Sequence, residues 1–335
     1  MRTLTRLAAA CLAATPVWGH HSDAGLDVNS ILAFEGTVTE FAFRNPHVYV
    51  GVETAGPSGE PVTWALQMGT ANNLNRQGWV RDTLKPGDQV AVRVHPATDG
   101  RPYGVVTSID KQGGLGLAPV SDEPQAPARA TTLAGKWRAD VSKLVEYPGG
   151  FDGFFHAELE LTERGAAAQA LYDPLSAENP ESTCIGRPAP AALVSSRLYL
   201  LEFELNEDTV VIRTEYFDEE RTIHMDGRDH PDGSGRFASG HSIGWWESET
   251  LVIDTTHFAD HRSPYQIGVP SGPRKHVVER YRLIENGTRM LAEFVLEDPE
   301  YIAEPLTHQR ELIYLPHETM YRFNCDPDST SRFVR

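Results

Sequence analysis

The densest run of chemistry-bearing side chains lies between Arg221 and Phe258, RTIHMDGRDHPDGSGRFASGHSIGWWESETLVIDTTHF. Arg221–Met225 reads as a strand, and successive strand side chains point to opposite faces. Thr222 and His224 therefore share one face, with Arg221, Ile223 and Met225 on the other. His241–Trp246 reads as a second strand with His241, Ile243 and Trp245 together. Leu251–Thr256 reads as a third, with Val252, Asp254 and Thr256 together. Turned into a barrel, His224, His241 and Asp254 form an acid–base set, because histidine titrates near neutral pH and a carboxylate can orient it. They are the expected catalytic residues if the protein is an isomerase, lyase or hydrolase working by proton transfer. Arg221, Trp245, Trp246, Thr256 and Phe258 are the expected ligand-binding walls. A plain structural reading competes: Trp245 and Trp246 straddle a strand, one in the core and one on the surface, and Arg221 pairs with Glu219 or Glu220. The segment Arg228–Gly240 reads as a long loop. The chain contains no HExxH or CxxC pattern, no G-x-S-x-G elbow, no P-loop and no dinucleotide fingerprint.

A second candidate depends on processing. Arg2 and Arg6, the apolar run Leu7–Ala14, and Val17 and Gly19 at -3 and -1 form a secretory signal pattern over residues 1–19. Cleavage after Gly19 places His20 at the new N-terminus, where the α-amino nitrogen and the ring can chelate a metal together. His47, in Asn45-Pro46-His47, supplies a further imidazole, and His21 is the other nearby donor. Such nitrogen-rich sites favour copper, with zinc second. The alternative is a frayed tail at His20 and His21 and a surface histidine at 47.

The elements that must position these residues are mostly β. Residues 20–110 carry five strand-like runs: Ile31–Phe43, Val48–Thr54, Val62–Met68, QVAVRVHP (89–96) and VVTSID (105–110). One short helix is expected over Asn72–Trp79. That pattern predicts a small OB-like barrel. Residues 111–132, rich in Gly, Pro and Ala, read as a linker. Residues 133–335 open on Gly135-Lys136-Trp137, a mark of lipocalin-like (calycin) barrels. They continue in alternating runs from HAELELTE (156–163) to YRFNC (321–325), predicting a larger antiparallel lipocalin-like barrel. The loop 148–155, PGGFDGFF, reads as a mobile aromatic lip. The acidic run 296–305 reads as a solvated loop, since it lacks calcium-loop spacing.

Removing residues 1–19 takes away Cys11 and leaves Cys184 and Cys325. In an exported chain two cysteines suggest a disulfide, the alternative being two separate buried thiols. The net charge is -17. Nucleic acid and anionic membrane surfaces are thereby disfavoured as partners, since both call for a basic patch. No membrane span follows the N-terminus.

Several motifs taken together resemble an exported bacterial family: HHS (20–22), EGTV (35–38), NPHV (45–48), GWVRDTLKPGD (78–88) and the HP-x-x-DG turn (95–100). The N-terminal domain of that family is classed as one of unknown function. FDEERTIHMDGR (217–228), GHSIGWWE (240–247), TLVIDTTHF (250–258), VVERYRL (277–283) and LEDP (296–299) resemble its companion domain. The resemblance implies export and brings no reaction with it. It also leads one to expect a glycine in the turn that here reads Glu247-Ser248-Glu249-Thr250. The leading expectation is a periplasmic or secreted protein that binds a small apolar ligand in its C-terminal barrel and copper at its mature N-terminus. The alternative is a His/Asp enzyme in that barrel.

Overall fold

The computed structural model describes residues 25–112, 128–147 and 150–333. The expected signal segment, His20, His21 and most of the expected linker lie outside the described residues.

Five strands close the first barrel: β1 (Leu32–Ala42), β2 (Tyr49–Ala55), β3 (Pro61–Gln67), β4 (Gln89–Pro96) and β5 (Tyr103–Lys111). Their order is β1-β2-β3-β5-β4 with β4 returning to β1, and β3 pairs with β5 in parallel. Alternation explains the wall: on β4, Val90, Val92 and Val94 are at most 1% exposed, while Gln89 and Arg93 face water. Helix α1 (Ala71–Arg76) bridges β3 and β4, and the Thr70 hydroxyl caps it by accepting from Asn73 N at 3.2 Å. This is the expected OB-like arrangement.

Nine strands close the second barrel: β6 (Gly135–Ala139), β7 (Leu201–Leu205), β8 (Thr209–Thr214), β9 (Glu220–His224), β10 (His241–Glu247), β11 (Thr250–Thr256), β12 (His276–Ile284), β13 (Arg289–Glu297) and β14 (Leu306–Tyr314). All neighbours are antiparallel except β9 and β10, which pair in parallel at Ser242–Ile223 and Ile243–His224. The barrel closes through β14 and β6. Trp137 is fully buried at that seam, its indole donating to Leu133 O at 2.9 Å. Gly135 adopts φ 112°, and a Cβ there would lie 2.7 Å from the Tyr314 ring. Only glycine fits.

Two expected strands and the expected lip are corrected. HAELELTE alternates, but the apolar spacing upstream is helical. Phe151, Phe154 and Phe155 fall on one face of α2 (Gly150–Glu158), with Phe154 and Phe155 buried in the core. The short α3 (Glu163–Ala170) follows. Only Leu161 makes a single bridge, to Ile302. YRFNC is irregular chain wrapped across the junction between barrels, where Asn45 bridges to Cys325. The turn at 248 shows why glycine is expected there: Ser248 is held at φ 57°.

The two barrels meet through buried polar pairs. Asn45, 3% exposed, donates to Asn72 Oδ1 (2.7 Å) and Phe323 O (2.6 Å), and its Oδ1 accepts from Ala71 N (2.8 Å). Arg76 pairs with Glu215 at 2.5 Å. A disulfide joins Cys184 to Cys325, as expected from the cysteine count, with Cα atoms 5.9 Å apart.

Candidate functional site

Register decides where the expected catalytic residues point. On β9–β12 the inward positions are Arg221, Ile223, Ser242, Thr255, Glu279 and Tyr281, all buried. His224, His241, Asp254 and Thr256 take the alternate positions and face outward. The expected interior acid–base set is therefore corrected: these residues lie on the outer wall.

The interior they were expected to line is occupied. Arg221 forms an ion pair with Glu279 at 2.5 Å rather than with Glu219 or Glu220, and contacts Thr255 Oγ1 at 3.3 Å. Tyr281 donates to the other Glu279 oxygen at 2.7 Å, and Ser242 and Thr255 share a hydrogen bond at 2.9 Å. The cavity beside this network is about 10 Å³, room for one water. Arg221 is thus a core cation with a partner. Phe258 is likewise core, 1% exposed, with the Lys275 ammonium nitrogen 4.4 Å from its ring centre. Burial pushes that lysine down to about 7. Trp245 and Trp246 are both exposed, at 40% and 46%, because β9 reaches β10 only at Ser242 and Ile243 and the hairpin tip projects past it.

On the outer wall the structure does bring the expected trio together, through a residue that periodicity did not select. His230, from the loop before β10, places Nε2 3.0 Å from Asp254 Oδ1 and Nδ1 2.9 Å from His241 Nδ1. His224 stacks on His241 with ring centres 5.1 Å apart. His276 binds the second Asp254 oxygen at 3.0 Å, and His257 shares a 2.8 Å hydrogen bond with Thr256. With His230 Nε2–H donating to Asp254 Oδ1, His230 Nδ1 accepts from His241 Nδ1–H, which leaves His241 Nε2 as the basic nitrogen. Burial first, and then His230, His224 and His257, hold His241 below the usual histidine range. Among the described residues, no group of three or more His, Cys, Asp or Glu side chains is placed to hold a metal ion.

A more enclosed space than the open junction groove, and a larger one than the barrel interior holds, lies between the barrels. A cavity of about 390 Å³ takes Pro46, His47 and Thr70 from the first barrel and most of its remaining wall from residues 144–217 of the second. Both poles carry buried arginines. At one, Arg187 is 4% exposed, paired with Glu181, and lies over the rings of Phe151 (4.6 Å) and Tyr216 (5.3 Å). Gln266 steadies Glu181 by donating to Oε2 at 2.9 Å. Burial and the Arg187 charge push the His47 ring down to about 4, so it is neutral at pH 7. At the other pole stand Arg310, Arg197 and Tyr147. Burial, then the hydrogen bond to Glu158, pushes the Tyr147 phenol up to about 12.

Of the expected metal ligands, His47 lines this cleft, and His20 and His21 lie outside the described residues. Arg187, Glu181, Tyr199, Tyr216 and Arg310 carry no motif in the sequence. The one pointer to them is Cys184, which brings residues 181–187 to the junction once it pairs with Cys325.

Residues 8–107 match a family described as "Family of unknown function (DUF6152)". No curated protein matches the chain. Among solved structures, the crystal structure of a point mutant of the fluorescent protein UnaG is similar at 10% identity and a TM-score of 0.25, over 54% of this chain and 95% of that one. Among the described residues, no helix is long and apolar enough to cross a membrane.

Proposed function

We propose that this is an exported binding protein whose small, largely apolar organic ligand sits in the cleft between the barrels. One observation carries the reading: the cleft, about 390 Å³, is walled by both barrels and combines aromatic rings with a few convergent polar groups. That size and lining are typical of small-molecule sites. The disulfide suits an oxidising compartment, and the chain-start pattern suits export. Native mass spectrometry of protein recovered from the exported fraction tests it. A retained small-molecule mass should be present in the wild type and absent from Leu198→Trp, which fills the cleft from a 40%-exposed wall position. No retained mass, together with equal behaviour of the two proteins toward a panel of apolar ligands, would sink the proposal.

A second reading has its own observation, the Asp254–His230–His241 chain on the outer wall. It supports proton transfer with His241 as base and Asp254 as the orienting carboxylate. Under this reading His230→Gln should abolish any acid–base activity while leaving the cleft's ligand in place. An activity that survives His230→Gln at full rate would end it.

A further inference from the structure

Arg187, Arg221 and Arg310 are buried, as is the side chain of Arg76. Arg76 has Glu215, Arg187 has Glu181 and Arg221 has Glu279. Arg310 breaks the pattern. It is 8% exposed and projects from β14 on the inward side, in step with Leu306, His308 and Leu312. Its Nη1 donates to Val194 O at 2.6 Å and its Nε to His308 Nε2 at 3.0 Å. Both acceptors are neutral. No carboxylate among the described residues forms an ion pair with Arg310, and the like charge of Arg197 acts against it. A buried cation without an opposite charge is costly, and proteins pair such groups or expose them. Arg310 does neither, and it lines the cleft.

We infer that the ligand of the cleft carries a carboxylate that pairs with the Arg310 guanidinium while its apolar body lies among the aromatic rings. The inference rests on the cleft reading and adds the ligand's chemical class. A guanidinium has five N–H donors in a planar fork; Nε is engaged by His308 and one Nη1 hydrogen by Val194, which leaves both Nη2 hydrogens and the second Nη1 hydrogen for a carboxylate. The neighbourhood suits an anion joined to a ring. Phe154 lies 5.9 Å from the guanidinium, Tyr147 packs edge-on against Phe154 at 5.4 Å, and Leu144 and Phe151 continue the apolar wall. The histidine beside Arg310 adds no opposing charge: burial, then Arg310 itself, pushes His308 down to about 4. At the opposite pole Glu181 already answers Arg187, so a single anionic head has one unanswered cation to choose.

The probes are 2-naphthoate, 2-naphthamide and acetate, titrated calorimetrically into the full-length protein. The acid should bind at least ~10-fold more tightly than the amide, because the charge-assisted fork is lost in the amide. Arg310→Gln should weaken the acid by at least ~10-fold and leave the amide within about 2-fold. Should Arg310→Gln fail to fold, Arg310→Lys keeps the charge and loses the fork, and an intermediate loss for the acid alone supports the same assignment. Leu198→Trp should weaken both aromatic probes. Equal binding of acid and amide to the wild type overturns the carboxylate and leaves the cleft reading standing. Acetate competing as well as naphthoate shows an adventitious anion only and overturns it too. If no aromatic probe binds, the carboxylate inference falls, and the retained-ligand mass spectrum judges the cleft reading separately.

Discussion

Arg76 of the first barrel and Glu215 of the second meet at 2.5 Å, with 8% and 0% of their side chains exposed. The Glu215 carboxylate also accepts from Leu200 N at 3.1 Å and Tyr321 N at 2.6 Å, so one acid gathers both barrels and the chain that wraps them. Removing one partner from a buried, hydrogen-bonded pair strands the other. Arg76→Ala should therefore destabilise the protein by about 3–5 kcal/mol. Differential scanning calorimetry should resolve the single unfolding peak into two, one for each barrel. A single peak at unchanged temperature would contradict this account of the junction.

The Cys184–Cys325 bridge closes a loop of 141 residues in sequence separation. In the chain-entropy treatment such a bridge contributes about 5 kcal/mol by restricting the unfolded chain. Cys184→Ser/Cys325→Ser should lower the urea midpoint accordingly. It should also weaken any cleft ligand, because Arg187 and Glu181 flank one anchor of the bridge. Urea titration of oxidised and double-mutant protein checks the first expectation, and ligand titration of the same pair checks the second.

His261 predicts sensitivity to acid. Its Nε2 faces Gly186 O at 3.0 Å, while its Nδ1 accepts from Ser263 N at 3.1 Å, so the ring is bound as the neutral form. Burial, then Lys275, pushes it from 6.5 down to about 4, and His308 is pushed equally low by burial and Arg310. The unfolded chain takes up these protons near 6.5 and the folded chain only near 4. Stability is therefore full above pH 6.5 and lost progressively as pH falls toward 4. The melting temperature should drop on acidification from neutral pH through this window, and His261→Gln/His308→Gln should flatten that slope. An unchanged slope in the double variant would refute the assignment.

His276 has the opposite sign. Hydrogen bonding to Asp254 first, then attraction to it and to Glu297, holds its ring above the usual histidine range. Its contribution is present below pH 6.5 and lost as pH rises through the raised value. Asp254→Asn removes the anion, so the His276 resonance should titrate at lower pH in NMR. His230 should also lose its fixed tautomer, since its Nε2 partner is the same carboxylate.

How far the sequence could be read depended on whether a residue's role was local. The first barrel was legible throughout, because its strands obey a period of two with turn residues between them: QVAVRVHP ends where expected and buries its valines on one face. The disulfide was legible by counting. Strand faces were not. His224, His241 and Asp254 share a wall as alternation says, but nothing local tells inside from outside. That depends on Arg221 and Glu279, far apart in sequence, finding each other within the barrel. His230 escaped because loops carry no period. Helix α2 escaped because Ala157, Leu159 and Leu161 also alternate, and the decisive spacing was that of Phe151, Phe154 and Phe155. The cleft was the least legible, since Arg310 becomes notable only once every other buried arginine is seen to have its acid. The copper expectation rests on the chain start, and of its three ligands only His47 falls among the described residues.

The wrapping of residues 321–332 over the first barrel has a consequence for the order of assembly. Asn45 cannot satisfy its amide, nor Arg76 find its place against Tyr321 (ring centre 5.4 Å away), until that segment has arrived. A chain delivered N-terminus first folds its early units early. The first barrel must then wait, complete but unsealed, while the second is threaded. The cleft, walled by His47 at one end of this timetable and Phe323 at the other, comes into being only at the close of the process. Occupancy of the site would thus report that a molecule has finished folding: chains cut after Tyr314 should form the first barrel and retain no ligand, which circular dichroism and native mass spectrometry of the truncated product can decide.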